Sequence, residues 1–272
     1  MNAKLPQFAK QAPAICHVPG LFVSRSKGAP DQLMKVDHQM GPLRYRFEGP
    51  QLGPMELRVL NGLVAFSAMQ NPLPRREGDD PLHQAQALLR RTASVQTTYN
   101  QLAEALGYKP DSGSAHASIR KALERLFAVA VFVSPANDPF GEDIAAGHLL
   151  TQPKSRDTGK SVVVSLCSIL AAAVFGGPGE YLRVNLNEVR GLKSAPALLL
   201  HRRLHYLNPG AKARLVGLDT LVTYVWFDEA TANTQCKRRK RVTEALEELV
   251  SIGWSVTPAA NGYLIARPAE SF

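Results

Sequence analysis

The feature that most restricts the fold is a pattern that occurs twice. Tyr99, Leu102, Ala103 and Leu106 share one helical face, and the segment stops at Gly107. The turn Lys109-Pro110-Asp111-Ser112-Gly113 follows, and Ile119, Ala122, Leu123 and Leu126 mark a second helix. That helix runs into Val129-Ala130-Val131-Phe132-Val133, which reads as a strand, and strand-like runs recur from His148 to Thr151 and from Val162 to Leu166. In the last third, Leu218, Leu221, Val222 and Val225 form a short helix and Phe227 to Ala232 a turn. Val242, Ala245, Leu246 and Leu249 then form a second helix that ends at Gly253. Trp254-Ser255-Val256 reads as a strand, Asn261-Gly262 as a hairpin signal and Tyr263-Leu264-Ile265 as the return strand. Over the second helices, Ile119, Ala122, Leu123, Glu124, Leu126 and Val129 match Val242, Ala245, Leu246, Glu247, Leu249 and Ile252 at a constant offset of 123. Helix, turn, helix, strand, strand is the order of a winged helix. The spacing predicts an α+β, mainly helical chain: a diverged tandem repeat of two winged-helix domains.

A length of 272 residues suits two domains at roughly 150 residues each. Residues 1–45 carry Pro6, Pro13, Pro19, Pro30 and Pro42 with little periodicity, and read as an N-terminal arm. The first domain is expected over 46–177 and the second over 178–272, with Phe175-Gly176-Gly177-Pro178-Gly179 as the linker. Pro54 opens a helix at its first-turn position, and Leu57, Leu60, Leu63 and Val64 mark its face. Residues 70–83 read as a loop and 84–91 as a helix. Tyr181 to Asn185 reads as a strand, and Leu198, Leu199, Arg202 and Leu204 lie in a helix that Asn208-Pro209-Gly210 ends. The uncharged stretch from Ser161 to Gly179 is interrupted by Ser165, Ser168 and the Gly-Gly-Pro-Gly turn. It reads as a buried strand and a core helix, because a membrane span wants about 20 mostly apolar residues. Met1 to Lys10 has no apolar core of a signal peptide. Cys16, Cys167 and Cys236 are too scattered for a disulfide framework, so reduced thiols in the cytoplasm are expected.

Charge narrows the partner. Lys and Arg number 32 against 23 Asp and Glu, a net charge of +9. An excess of this sign favours an acidic partner, most commonly nucleic acid. Its densest point is Lys237-Arg238-Arg239-Lys240-Arg241, at the start of the second helix of the C-terminal copy. With Val242 at zero on a helical wheel, Ala245, Leu246 and Leu249 fall within about 60° of it. Lys237 and Lys240 fall on the far side with Arg241 beside them, while Arg238 and Arg239 flank the apolar seam. Glu244, Glu247 and Glu248 come only in the second half. A helix that is basic where it begins opposes its own dipole, and a polyanion offsets that cost. The pattern fits a recognition helix that enters double-stranded DNA N-terminus first, Arg gripping guanine and Lys neutralising phosphate. Arg202, Arg203, Lys212 and Arg214 are further candidates for holding the DNA backbone, and Asn261 and Arg267 around the hairpin are candidates for touching adjacent backbone or minor groove. In the N-terminal copy His116, Ser118, Arg120 and Lys121 are the corresponding candidates, at lower charge density.

Enzymatic readings find little support. Thr158-Gly159-Lys160-Ser161 resembles the end of a P-loop, but Lys154 stands where the first glycine belongs and a Val-rich strand follows. His201 and His205 have metal-ligand spacing without a cysteine or acidic neighbour in the sequence, and read as surface histidines of a helix. There is no HExxH, no HxH pair and no cluster of paired carboxylates. No catalytic residue, cofactor or metal is expected.

Several segments resemble the RepC replication initiators of broad-host-range IncQ-type plasmids. They are Pro19-Gly20-Leu21-Phe22, Leu57-Arg58-Val59-Leu60-Asn61-Gly62-Leu63-Val64-Ala65 and Leu200-His201-Arg202-Arg203-Leu204. The likeness is strongest over Leu218-Asp219-Thr220-Leu221-Val222-Thr223-Tyr224-Val225-Trp226. It continues through Arg238-Arg239-Lys240-Arg241-Val242 to Leu249-Val250-Ser251-Ile252-Gly253-Trp254. Residues 1–15 and 70–95 are not similar, so no role is carried onto them. The resemblance implies binding to directly repeated sites, called iterons, at a plasmid origin, local strand opening, and loading of a plasmid-encoded helicase followed by a primase. It also implies that the C-terminal domain reads bases, while the N-terminal domain contacts DNA backbone or mediates a homodimer. The residues themselves leave a winged-helix transcriptional repressor open as an alternative.

Overall fold

A computed structural model describes residues 5–25, 32–71, 93–137, 145–151, 161–176, 181–207 and 212–267. In chain order the elements begin with β1 (Phe8–Gln11), α1 (Pro13–His17), β2 (Leu33–Met40), β3 (Leu43–Pro50) and α2 (Pro54–Gln70). Next come β4 (Ala93–Thr98), α3 (Tyr99–Ala105), α4 (Gly113–Phe127), β5 (Ala130–Pro135), β6 (Ala145–His148), β7 (Leu150–Thr151), β8 (Ser161–Leu166) and α5 (Ser168–Phe175). The remainder are β9 (Leu182–Asn185), α6 (Leu186–Gly191), α7 (Ala195–Leu207), β10 (Arg214–Val216), α8 (Leu218–Thr223), α9 (Ala232–Ser251), β11 (Ser255–Ala259) and β12 (Gly262–Ala266). Of the described residues 46% are helical and 29% lie in strands, so helix predominates as expected.

Local chemistry explains the helix starts. Pro54 occupies the first turn of α2, where its missing N–H costs nothing, and the Glu56 carboxylate accepts from the Gly53 N–H at 2.8 Å. Leu57, Val59, Leu60, Leu63, Val64 and Phe66 bury α2 on nearly every side, so it forms the centre of the N-terminal half. The Thr98 side chain accepts from the Gln101 N–H at 3.1 Å, and the Gln101 side chain accepts from the Thr98 N–H at 3.1 Å, which starts α3 with a capping box. Ser112 and Thr231 cap α4 and α9 in the same way with their hydroxyls.

The repeat extends beyond the helices. Both copies run helix, strand, helix, turn, helix and two strands: α2–β4–α3–α4–β7–β8 and α7–β10–α8–α9–β11–β12. Their sheets have the same order, β4-β8-β7 and β10-β12-β11, with the leading strand paired to the last. Two tandem winged helices are therefore present. One assignment changes. The run Val129 to Val133, taken from sequence as the strand following the N-terminal second helix, belongs to a different sheet. There β5 pairs with β3 (Val131↔Phe47) and with β6 (Val131↔Gly147), giving the order β2-β3-β5-β6. The strand equivalent to β11 is the short β7, which joins β8 through Leu150↔Leu166. The N-terminal copy thus carries a two-strand insertion between its second helix and its wing.

The segment read as an arm is packed into the body over its described residues. β1 pairs antiparallel with β9, with Ala9 opposite Val184, and α1 lies against α7. Ile15, Val18, Leu21 and Phe22 are fully buried, and the Gln11 side-chain amide donates to Asn61 Oδ1 on α2 at 2.8 Å. Residues 33–50 form the β2–β3 hairpin. Proline did not prevent this: Pro13 sits in the first turn of α1. The loop and helix expected within 72–92, and Gly177 to Gly179 of the linker, lie outside the described residues. β8 followed by α5, with Leu170, Ala171, Ala173 and Val174 buried, matches the expected buried strand and core helix. Among the described residues no helix is long and apolar enough to cross a membrane.

Candidate nucleic-acid interface

α9 is fixed from behind. Val242, Ala245, Leu246 and Leu249 face the core, as the wheel predicts. The Glu248 carboxylate accepts from the Lys193 and Ser194 N–H groups at 2.7 and 3.1 Å, just before α7 begins. Those donors hold its carboxyl below the usual range, although burial opposes them. Trp254, which follows α9, donates its indole N–H to Glu188 at 3.2 Å, and His201 shares the same carboxylate oxygen at 2.8 Å. His201 and His205 are buried, not on the helix surface as expected. His205 meets the Arg183 carbonyl at 2.9 Å, and burial keeps its imidazole well below the ordinary value. They brace α6, α7 and the wing together. The signal for this, Glu188, lies 13 residues before His201 and is invisible to local spacing.

The cationic run then divides by what each residue touches. Lys237, Lys240 and Arg241 are exposed and make no ion pair or hydrogen bond among the described residues. Arg238 packs its guanidinium over Trp226, 5.4 Å from the ring centre. It also donates to the Asp228 carboxylate at 2.7 Å and the Asp228 carbonyl at 2.9 Å, closing the turn before α9. Arg239 donates from Nε and Nη2 to the two carboxylate oxygens of Asp219 at 2.7 and 2.9 Å. The hydrogen bond from Arg239 lowers the Asp219 pKa, and the same contact raises that of Arg239. Sequence spacing missed both acids, because they precede their partners by 20 and 10 residues in other elements.

The flanking candidates separate too. Arg202 is only 4% exposed and donates to the carbonyls of Ile15 and Val18, at the end of α1. It is a core residue, not a DNA contact, because its charge is consumed by a helix terminus that burial hides from water. Burial lowers its pKa to about 10, which leaves it charged at neutral pH. Arg203 is half-buried over the Tyr224 ring at 5.1 Å and its charge bears on His17 and His38, so it also faces inward. Arg267 is half-buried, and its charge acts on Glu188 and His205 behind the wing. Lys212 and Arg214 are exposed, with Arg214 donating to the Leu207 carbonyl at 3.0 Å.

Asn261 is exposed at the wing turn, whose two central residues are Ala260 and Asn261, with Ala259 opposite Gly262. An open notch of about 340 Å³ lies between this turn, the start of α8 and Arg239. In the N-terminal copy, His116 is turned back onto the Pro110 carbonyl at 2.6 Å and braces the turn. Ser118 donates to the Ser114 carbonyl at 2.9 Å, Arg120 lies 5.5 Å from the Tyr99 ring centre, and both are exposed. Lys121 is exposed without a partner among the described residues. The second surface is therefore thinner in free charge than the first. No group of three or more metal-ligating side chains occurs among the described residues.

Comparison with known proteins bears on both fold and family. The family model described as Replication protein C (RepC) matches residues 4–269. No curated protein matches the chain. Among solved structures, the crystal structure of selenomethionine derivatives of domains 2 and 3 of RctB superposes with a TM-score of 0.57 at 10% identity, covering 95% of this chain and 99% of that one. A second crystal structure of RctB domains 2–3 gives 0.51 at 12% identity, covering 91% and 85%. At such identities the likeness is one of fold.

Proposed function

The chain belongs to the RepC replication protein family, and from that premise we propose that it initiates replication by binding directly repeated double-stranded sites at an origin, with α9 as the reading element. The observation that carries this reading is the outward row of Lys237, Lys240 and Arg241 on a helix whose rear is locked to the core. Three unpaired cations in the first half of a second helix-turn-helix helix, on the turns after its Ala232 start, support contact with phosphates and base edges of a major groove. Asn261 at the wing turn, with Lys212 and Arg214, supports contact with the neighbouring backbone. The C-terminal unit, expected over 178–272, is then the main reader. The unit over 46–177 adds weaker backbone contact through Ser118, Arg120 and Lys121, or joins two copies of the chain in a homodimer.

Strand opening follows from preferential binding. If bent or unwound DNA is held better than relaxed duplex, each bound copy shifts the equilibrium by its differential affinity. Several copies on an array add their contributions, and negative supercoiling helps. A plasmid-encoded helicase and then a primase act on the opened strand in this scheme.

Footprinting on DNA of the same replicon tests the reading at two salt concentrations. Protection should repeat along an array, one unit covering roughly two helical turns. Contact with about six phosphates should cost about three orders of magnitude in affinity between 50 and 200 mM salt. A single protected operator over a promoter supports the repressor reading instead, and salt-independent binding removes both.

A further inference from the structure

We propose that Asp219 is a positioning residue for base recognition, holding Arg239 by one edge of its guanidinium so that the other edge is presented to a guanine. This rests on the reading of α9 as the element that enters the groove. A guanidinium has five N–H donors arranged on two usable edges. Asp219 takes the lateral edge, through Nε at 2.7 Å and Nη2 at 2.9 Å. The terminal edge, formed by Nη1 and the second hydrogen of Nη2, has no partner among the described residues. That edge is the fork that matches O6 and N7 of guanine in the major groove. Asp219 also accepts from Gln235 at 3.5 Å, so it gathers two side chains of α9.

The neighbouring Arg238–Asp228 pair is built differently. Arg238 is packed on Trp226, its side chain is 11% exposed, and it takes both a carboxylate and a carbonyl of Asp228. It is a structural tie. The Asp219–Arg239 side chains are 47% exposed for Arg239 and 64% for Asp219, and an ion pair that open contributes little to stability. Asp219 and Arg239 also border the notch between the start of α8 and the wing turn at Asn261. An acid beside a phosphate-facing surface weakens general attraction to DNA. It gains a use when it removes the rotamer freedom of an arginine that must align two bonds at once.

The test uses the full chain. Duplexes are selected by the wild-type protein from a randomised pool, and each base pair of the preferred site is then substituted in turn. Arg239→Ala, Asp219→Ala and Asp219→Asn are compared with wild type on this set and on an unrelated duplex. The expected result is a loss of roughly tenfold in affinity for the preferred site in both Asp219 variants. The loss should be confined to the G·C pair whose identity also ceases to matter in Arg239→Ala. Affinity for the unrelated duplex should stay level or rise, since a negative charge has gone. An unchanged base profile in the Asp219 variants overturns the proposal, and so does a uniform loss on every duplex, which marks a phosphate clamp. If the wild type selects no sequence at all, the reading of α9 as a sequence reader falls, and this proposal with it.

Discussion

Arg202 and Lys237 carry the same charge and do opposite work. Arg202 is buried with its guanidinium on the carbonyls of Ile15 and Val18, whereas Lys237 stands in solvent. Arg202→Met should lower stability by about 2–4 kcal/mol, because two carbonyls hidden from water lose their donor. Chemical denaturation reads this, and the DNA affinity of the folded fraction should not change. Lys237→Ala should behave inversely, with stability unchanged, binding weakened alike on all duplexes, and a salt slope smaller by about one. Equal effects of both changes on binding would contradict the assignment of Arg202 to the core and Lys237 to the DNA-facing surface. The two are indistinguishable as letters in a basic sequence; only burial separates them.

Two elements show how local geometry controls the surroundings of the site. Gly262 opens β12 with φ +146°, and a Cβ there would collide with the Val216 carbonyl oxygen. Gly262→Ala should therefore part β12 from β10, at about 1–3 kcal/mol of stability, and displace Asn261 from the notch. Thermal unfolding together with DNA affinity checks both effects. The second element is α1, which meets the β2–β3 hairpin through a 2.7 Å hydrogen bond between His17 Nδ1 and His38 Nε2. Tyr206 lies edge-on to His17, and Arg202 and Arg203 are the nearby charges. Burial first, then Arg203, His38 and Arg202, lower the His17 pKa from 6.5 to about 4. The unfolded chain then binds a proton that the folded chain refuses, so stability falls as the pH drops from about 7 to about 4 and levels off below. His17 is only partly buried, and solvent screening leaves a loss of about 1 kcal/mol. Denaturation midpoints at pH 7 and pH 5 should differ in wild type, and the difference should shrink in His17→Gln, with the buried His205 and the lowered His38 supplying what is left.

At the scale of the whole molecule, the two winged helices are joined by residues 5–25. β1 completes a sheet with β9, α1 packs on α7, and Arg58 of α2 donates to the carbonyls of Val189 and Leu192. One continuous set of buried side chains runs through both copies. The full chain should therefore unfold in one cooperative transition by both circular dichroism and tryptophan fluorescence. Two separated transitions would show that the copies are independent. A fixed relation between the two helix-turn-helix units also sets the spacing of any two contacts they make on one duplex, which a pair of modules on a loose linker would not do.

The sequence determined the periodic part. Apolar spacing at 3.6 residues placed both second helices, the offset of 123 exposed the repeat, and the wheel put Lys237 and Lys240 opposite Val242. These are local properties, fixed by the geometry of a single helix. Tertiary structure decided the rest. It sent Val131 to pair with Phe47 and not with the wing, turned the proline-rich start into a strand and a core helix, buried Arg202, His201 and His205, and brought Asp219 to Arg239 across 20 residues. Each of these depends on which distant backbone or side chain satisfies a buried polar group or an open strand edge. Neither periodicity nor composition encodes that choice, because the partner lies outside any local window.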